Sequence, residues 1–134
     1  MIFTKENIDK IEKGIKIQTR RIRKRYEYAT NTLSDGTIPL NAPKIFCVRT
    51  SGNKLKWQVG KEYSVQENRT SKGGSKIKLT EIGLEKLLDI TDKDAKKEGH
   101  KTRNEFLTEF YAINKRYFKA GTNPEVWVLT FKKV

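Results

Sequence analysis

The chain has 134 residues, 34% of them charged and 35% hydrophobic, and 29 lysines and arginines against 16 acids give a net charge of +13. That length suits a single domain over residues 1–134 with a modest core, no apolar run approaches the roughly 20 residues of a membrane span, and charge follows Met1-Ile2-Phe3 at once, so no secretion leader is expected. One cysteine, Cys47, excludes an internal disulfide and fits a reducing cytoplasm, and the basic excess makes polyanions, chiefly RNA or DNA, the expected partners.

Residues Thr4 to Lys13 suit a helix: Thr4 caps it, Glu6 and Asp9 complement the dipole at its start, and Lys10 and Lys13 suit its end. Ile8 and Ile11 give a narrow apolar stripe, with Phe3 as a staple before the cap, and Gly14 stops the helix. From Lys16 to Arg25 alternation favours a strand, with Ile17, Thr19 and Arg21 on one face and Gln18, Arg20 and Ile22 on the other. Lys16 and Thr19 then share a site only if Lys16 still lies on the turn, which is the expectation.

Lys24 to Pro43 reads as a long irregular excursion, and loops of that length are commonly functional or mobile. Its basic residues interleave with Tyr26 and Tyr28, which suits either a base-stacking surface or a flap over the core edge. Lys44 to Thr50 and Glu62 to Gln66 are expected strands. Asn68 to Ser75 is expected to be a hairpin tip whose Arg69, Lys72 and Lys76 either touch phosphates or form a basic loop.

Lys76 to Ile82 alternates cleanly as a strand, after which Leu84, Leu87 and Leu88 suggest a helical turn against the sheet. Thr91 opens a second helix, Asp92 to Glu98, closed by Gly99. A third helix, Arg103 to Phe118, carries Phe106, Phe110, Tyr111, Tyr117 and Phe118, a spacing that favours core packing. Val126 to Phe131 is almost unbroken in apolar character and so reads as a central strand. The order predicts an α+β fold of short, mostly antiparallel strands with two or three helices, which a small barrel would close.

Much familiar chemistry is missing. His100, the sole histidine, lies in a polar Gly-His-Lys turn with no obvious partner, and no cysteine–histidine cluster supports zinc. Asp92, Asp94 and Glu98 are spread around a helix rather than gathered on a metal, and no Walker loop or dinucleotide fingerprint occurs. Neither a metal nor a cofactor is expected. What remains is the run Gly14-Ile15-Lys16-Ile17-Gln18-Thr19-Arg20-Arg21. It suits either an anion or nucleotide pocket or a glycine-capped helix followed by a solvated basic strand. Glu81 to Glu98 is the one net-acidic stretch, so its carboxylates should face cations. A meeting of Glu98 with Lys16 beside Thr19 could activate a hydroxyl or a water, or be a plain structural ion pair.

Several motifs occur in a fixed order: Gly14-x-Lys16-x-x-Thr19-x-Arg21, Val59-Gly60-Lys61-x-Tyr63, Leu79-Thr80-Glu81-Ile82, Leu87-x-Asp89-Ile90-Thr91-x-x-Asp94-Ala95-x-x-Glu98-Gly99 and Asn123-Pro124-x-Val126-Trp127-Val128. In this order the chain resembles the activating-signal-cointegrator homology (ASCH) family over nearly its whole length. The resemblance implies a PUA-like β-barrel and a pocket for a base or nucleotide of RNA; a monomer in the cytoplasm is expected. Glutamate is frequent in the family where this chain has Thr19. The threonine form is similar to the small N(4)-acetylcytidine amidohydrolases. That similarity implies Thr19 as nucleophile, Lys16 as its activator and Glu98 as the proton-handling group. Nucleic-acid or nucleotide contacts are then expected from Lys16, Arg20, Arg21, Arg23, Arg25, Tyr26, Arg69 and Lys72. Three functions follow in order of preference: a base- or nucleotide-binding RNA module, a deacylase of acylated cytidine, and a single-stranded RNA ribonuclease.

Overall fold

In chain order, the computed structural model gives helix α1 (Lys5–Glu12), strands β1 (Gln18–Ile22), β2 (Tyr28–Thr30), β3 (Cys47–Thr50), β4 (Lys54–Gln58), β5 (Glu62–Val65) and β6 (Ser75–Lys86), a 3-10 turn (Leu87–Asp89), helices α2 (Asp92–Lys97) and α3 (Arg103–Ile113), and strand β7 (Glu125–Lys133). The structure describes residues 1–31, 45–71 and 74–134. Much of the expected excursion, including Pro39 and Pro43, lies outside them, and its described end contains β2.

The fold is α+β. Four strands form one antiparallel sheet in the order β1-β7-β6-β5, and three form a second in the order β2-β3-β4. Among the described residues the strands make two sheets and not the closed barrel expected from sequence. Among the described residues the one parallel pairing is an isolated bridge between Ile2 and Gln66.

Strand β7 lies between β1 and β6 because its apolar run can be covered on both faces: Val126, Trp127, Leu129 and Phe131 are all buried. The main core packs Trp127 and Leu129 with Ile77 and Leu79 of β6 and with Phe3 and Ile11 from the N-terminal segment. A second cluster sets Leu107 and Phe110 of α3 against Val126 and Leu87. Burying a side chain of this size stabilises the fold by roughly 1.5–3 kcal/mol.

Side-chain caps begin all three helices. The hydroxyls of Thr4, Thr91 and Thr102 accept hydrogen bonds from the backbone N–H groups of Asn7, Asp94 and Glu105. Two expectations are corrected. Leu84 belongs to β6, 39% exposed, because β6 keeps its pairing with β7 through Lys86; only Leu87–Asp89 forms a turn. Helix α3 ends at Ile113, where the Asn114 side chain bonds the Phe110 carbonyl, so Tyr117 lies beyond it and is exposed. No helix among the described residues is long and apolar enough to cross a membrane.

Candidate functional site

Two glycine turns bring the central groups together. After α1 the chain reverses at Gly14 (φ +75°), and the Lys10 carbonyl accepts from both Ile15 and Lys16 N–H. Lys16 therefore sits before β1, which starts at Gln18, and can share a wall with Thr19 despite the odd spacing. After α2 the chain reverses at Gly99 (φ +89°), leaving Glu98 at the helix end. A main-chain bond from Ile17 N–H to the Lys97 carbonyl (2.9 Å) joins the two turns.

Lys16 Nζ donates to Glu98 Oε1 at 2.7 Å and to the Glu98 carbonyl at 3.2 Å, and both residues are almost wholly buried. The other oxygen, Glu98 Oε2, accepts from Arg20 Nη1 at 2.8 Å. Arg20 also donates to Gln18 Oε1 and to Glu85 Oε1, both at 2.8 Å, and Asp94 Oδ2 lies 3.6 Å from its Nη2. The net-acidic stretch thus does face cations. Two buried cations meet one buried carboxylate and two partly exposed ones, a formal excess of one negative charge that Lys97, 3.9 Å from Asp94, offsets.

A cavity of about 250 Å³ opens beside this cluster. Lys16, Thr19, Arg20, Arg21 and Glu98 form part of its wall, so the expected trio of Lys16, Thr19 and Glu98 lies around one hollow. Thr19 is 5% exposed, and no hydrogen bond among the described residues engages its hydroxyl. Arg21 stacks over Phe3 (4.8 Å) and donates to the Ile2 carbonyl at 2.7 Å. Burial lowers the Arg21 pKa and the charge of Glu98 opposes that shift; the same kind of desolvation, aided by Arg21, lowers the Met1 amino group.

The far wall corrects the reading of His100. It is buried at 8% exposure, with Nδ1 3.1 Å from Glu105 Oε1, Nε2 against Glu109 Oε2, and its ring edge-on to Phe106 at 5.8 Å. The hydrogen bond from His100 holds the Glu105 carboxyl below its ordinary range. Glu109 Oε1 accepts from Asn7 Nδ2 at 3.0 Å, joining α1 to α3. Sequence reading missed Asn7, His100 and Glu109 as cavity residues. Their one signal was the i, i+4 pair of acids Glu105 and Glu109 on α3, each directly preceding a phenylalanine of the core, Phe106 and Phe110.

The remaining expected contacts disperse. Arg23 is tied to the Glu27 carbonyl (3.2 Å) and to Glu125 (3.1 Å). Arg25, Tyr26 and Arg69 are exposed on the surface, and Lys72 lies outside the described residues. Among the described residues no group of three or more His, Cys, Asp or Glu side chains is placed to hold a metal ion. Away from the cavity, Glu27 is a buried carboxylate that accepts from Trp127 Nε1 (3.0 Å) and Lys24 N–H (2.9 Å) and pairs with Lys56. Burial raises its pKa, but these donors outweigh burial and leave it lowered.

No family model and no curated protein matches the sequence. The fold does match a solved structure, the crystal structure of an ASCH domain from Lactobacillus crispatus JV V101. The TM-score is 0.65 at 16% identity, over 96% of this chain and 70% of that one. The chain therefore has the fold of an ASCH domain.

Proposed function

We propose, with the ASCH-domain fold as the premise, that the chain binds single-stranded RNA by taking one unstacked base, or the base of a nucleotide, into the cavity beside Lys16, Thr19 and Glu98. The observation that carries this is the pairing of Lys16 with Glu98 at 2.7 Å. An ammonium already neutralised by a buried carboxylate offers little net attraction to a phosphate, yet Nζ has three protons and only two are engaged. The free proton and the Thr19 hydroxyl suit the carbonyl or ring nitrogen of a neutral base. At about 250 Å³ the cavity falls below the roughly 300–1,000 Å³ of pockets for drug-sized ligands, a size for one base. The phosphates stay outside, where a chain of net charge +13 supplies exposed cations such as Arg25. Binding of a labelled single-stranded RNA should weaken steeply with salt, and mononucleotides should compete for the cavity at constant salt. Affinity indifferent to salt would sink this reading.

A second reading is favoured by the Thr19 hydroxyl, which no hydrogen bond among the described residues engages, beside the Lys16–Glu98 pair. In a deacylation of N(4)-acetylcytidine, Thr19 Oγ1 attacks the acetyl carbonyl and the pair carries its proton to the departing amine as the C–N bond breaks. Water then hydrolyses the acyl-threonine and releases acetate. Acetate release from N(4)-acetylcytidine tests it; turnover that survives Thr19→Val removes it.

A further inference from the structure

We propose that Arg21 is the phosphate anchor at the rim of the cavity, so that the ligand is a nucleotide and not a free nucleoside; this rests on the base-binding reading above. Among the described residues the cavity wall holds three lysines and arginines. Lys16 and Arg20 are both bound to Glu98, and Arg20 to Glu85 as well. Arg21 has no ion pair among the described residues, and its hydrogen bond there runs from Nη2 to the Ile2 carbonyl at 2.7 Å. A guanidinium carries five N–H donors in a planar fork matched to phosphate, so four of them remain for a ligand. Burial strips water from this charge, and Glu98, the carboxylate that supports it, is already shared by the other two cations. Arginines withdrawn from water are ordinarily paired. An anion arriving at Arg21 supplies the partner that the protein does not.

The placement of Arg21 suits a phosphate that stays outside the cavity. In the pairing of β1 with β7, Thr19 lies opposite Leu129 and Arg21 opposite Trp127, and both of those partners pack with Phe3 in the core. Thr19 and Arg21 therefore share the strand face that looks towards Phe3, about 7 Å apart along β1. The guanidinium lies over the Phe3 ring, 4.8 Å from its centre, and is fastened to the main chain of Ile2. Phe3 and Ile2 both line the cavity. Ile2 is 41% exposed and Ile113, also in the wall, is 54% exposed, so Arg21 is held on the open side. A base beside Thr19 and a phosphate on Arg21 are then joined by the ribose between them.

The test compares each of the four ribonucleosides with its 5′-monophosphate at constant ionic strength. For any base that binds, the monophosphate should bind the unmodified protein on the order of tenfold tighter. Arg21→Met keeps a long side chain over Phe3 and removes the charge. It should bring the monophosphate down to the affinity of its nucleoside and leave the nucleoside's own affinity in place, with a thermal melt confirming that the variant is folded. Equal affinities of nucleoside and monophosphate for the unmodified protein overturn the inference and leave base binding standing; that comparison requires no variant. A preference that survives Arg21→Met comes from the general charge of the chain and also overturns it. An equal loss for nucleoside and monophosphate in the variant overturns it too, because it marks Arg21 as a structural residue. A dinucleoside monophosphate separates the two sources of the phosphate. Affinity matching the 5′-monophosphate assigns it to an RNA chain, affinity matching the nucleoside assigns it to a free nucleotide, and both results uphold the anchor. Absence of binding by all of these probes and by single-stranded RNA overturns both readings.

Discussion

Lys16 donates to both the side-chain and the main-chain oxygen of Glu98, so one ammonium closes a ring over the end of α2. Glu98 also holds Arg20, whereas among the described residues Lys16 holds Glu98 alone. Removing one member of a buried pair costs about 3–5 kcal/mol, because the survivor is left charged and unsolvated. Glu98→Ala strands Lys16 and takes one carboxylate from Arg20, which keeps Glu85, and should destabilise the protein more than Lys16→Met, which leaves Glu98 its bond to Arg20. Urea midpoints at neutral pH measure the order; a larger loss for Lys16→Met contradicts it.

Glu27 gives the fold a sensitivity to acid. Its folded pKa is lowered, because Lys56, Lys24 N–H and Trp127 together overcome burial. The stabilisation is therefore complete above the ordinary glutamate value of about 4.3 and is lost as pH falls through the lower folded value. Glu27→Gln keeps the shape and should lower stability at pH 7 by roughly 1–3 kcal/mol. It should also flatten the fall of the urea midpoint below about pH 4. An unchanged slope would place the acid-sensitive group elsewhere.

The basic surface residues separate into two kinds. Arg25 and Arg69 are exposed, while Arg23 is bound to Glu125 and the Glu27 carbonyl. Arg25→Ala and Arg69→Ala should each reduce the salt slope of single-stranded RNA binding by about 0.7 without moving the melting temperature. Arg23→Ala should lower the melting temperature as well. Salt titrations alongside thermal melts distinguish the two kinds.

Gly99 is held at φ +89°, and a methyl group there would approach Lys10 Cδ to 2.9 Å and Lys16 Cβ to 3.5 Å. Gly60, at φ +90°, has nothing within 4 Å of the same position. Gly60→Ala should therefore cost only the backbone strain, about 1–2 kcal/mol. Gly99→Ala should cost more and displace Glu98, weakening base binding too. Equal melting temperatures for the two variants would show that Lys10 swings aside freely.

The caps, glycine turns and central strand could be read from the sequence because each is a local matter. Threonine at a helix start, Gly14 and Gly99 after the ends, and the apolar run of β7 carry their own structural meaning. The cavity wall was legible in part, since the glycine-led motif contains Lys16 and Thr19, which both line it. The division of labour between Arg20 and Arg21 was not. Alternation places them on opposite faces, but Gln18, Thr19 and Arg20 are all buried while Arg21 is only partly buried, because β1 is covered on both sides at its start. His100 escaped notice because its partners lie on α3, and only tertiary packing aims Glu105 and Glu109 at it. The α+β order of strands and helices was legible, whereas the barrel closure was not met among the described residues, because strands must find partners far along the chain, a matter of topology that no local pattern encodes.

The bond between Ile17 N–H and the Lys97 carbonyl means that the two turns are fastened by main chain, independently of the charges they carry. Lys16→Ala should accordingly leave a socket with its walls in place, open to a visiting cation of the right length. Propylamine in the buffer then becomes a prosthesis: it should restore part of the lost stability to this variant while doing nothing for Glu98→Ala, which has no anion left to receive it.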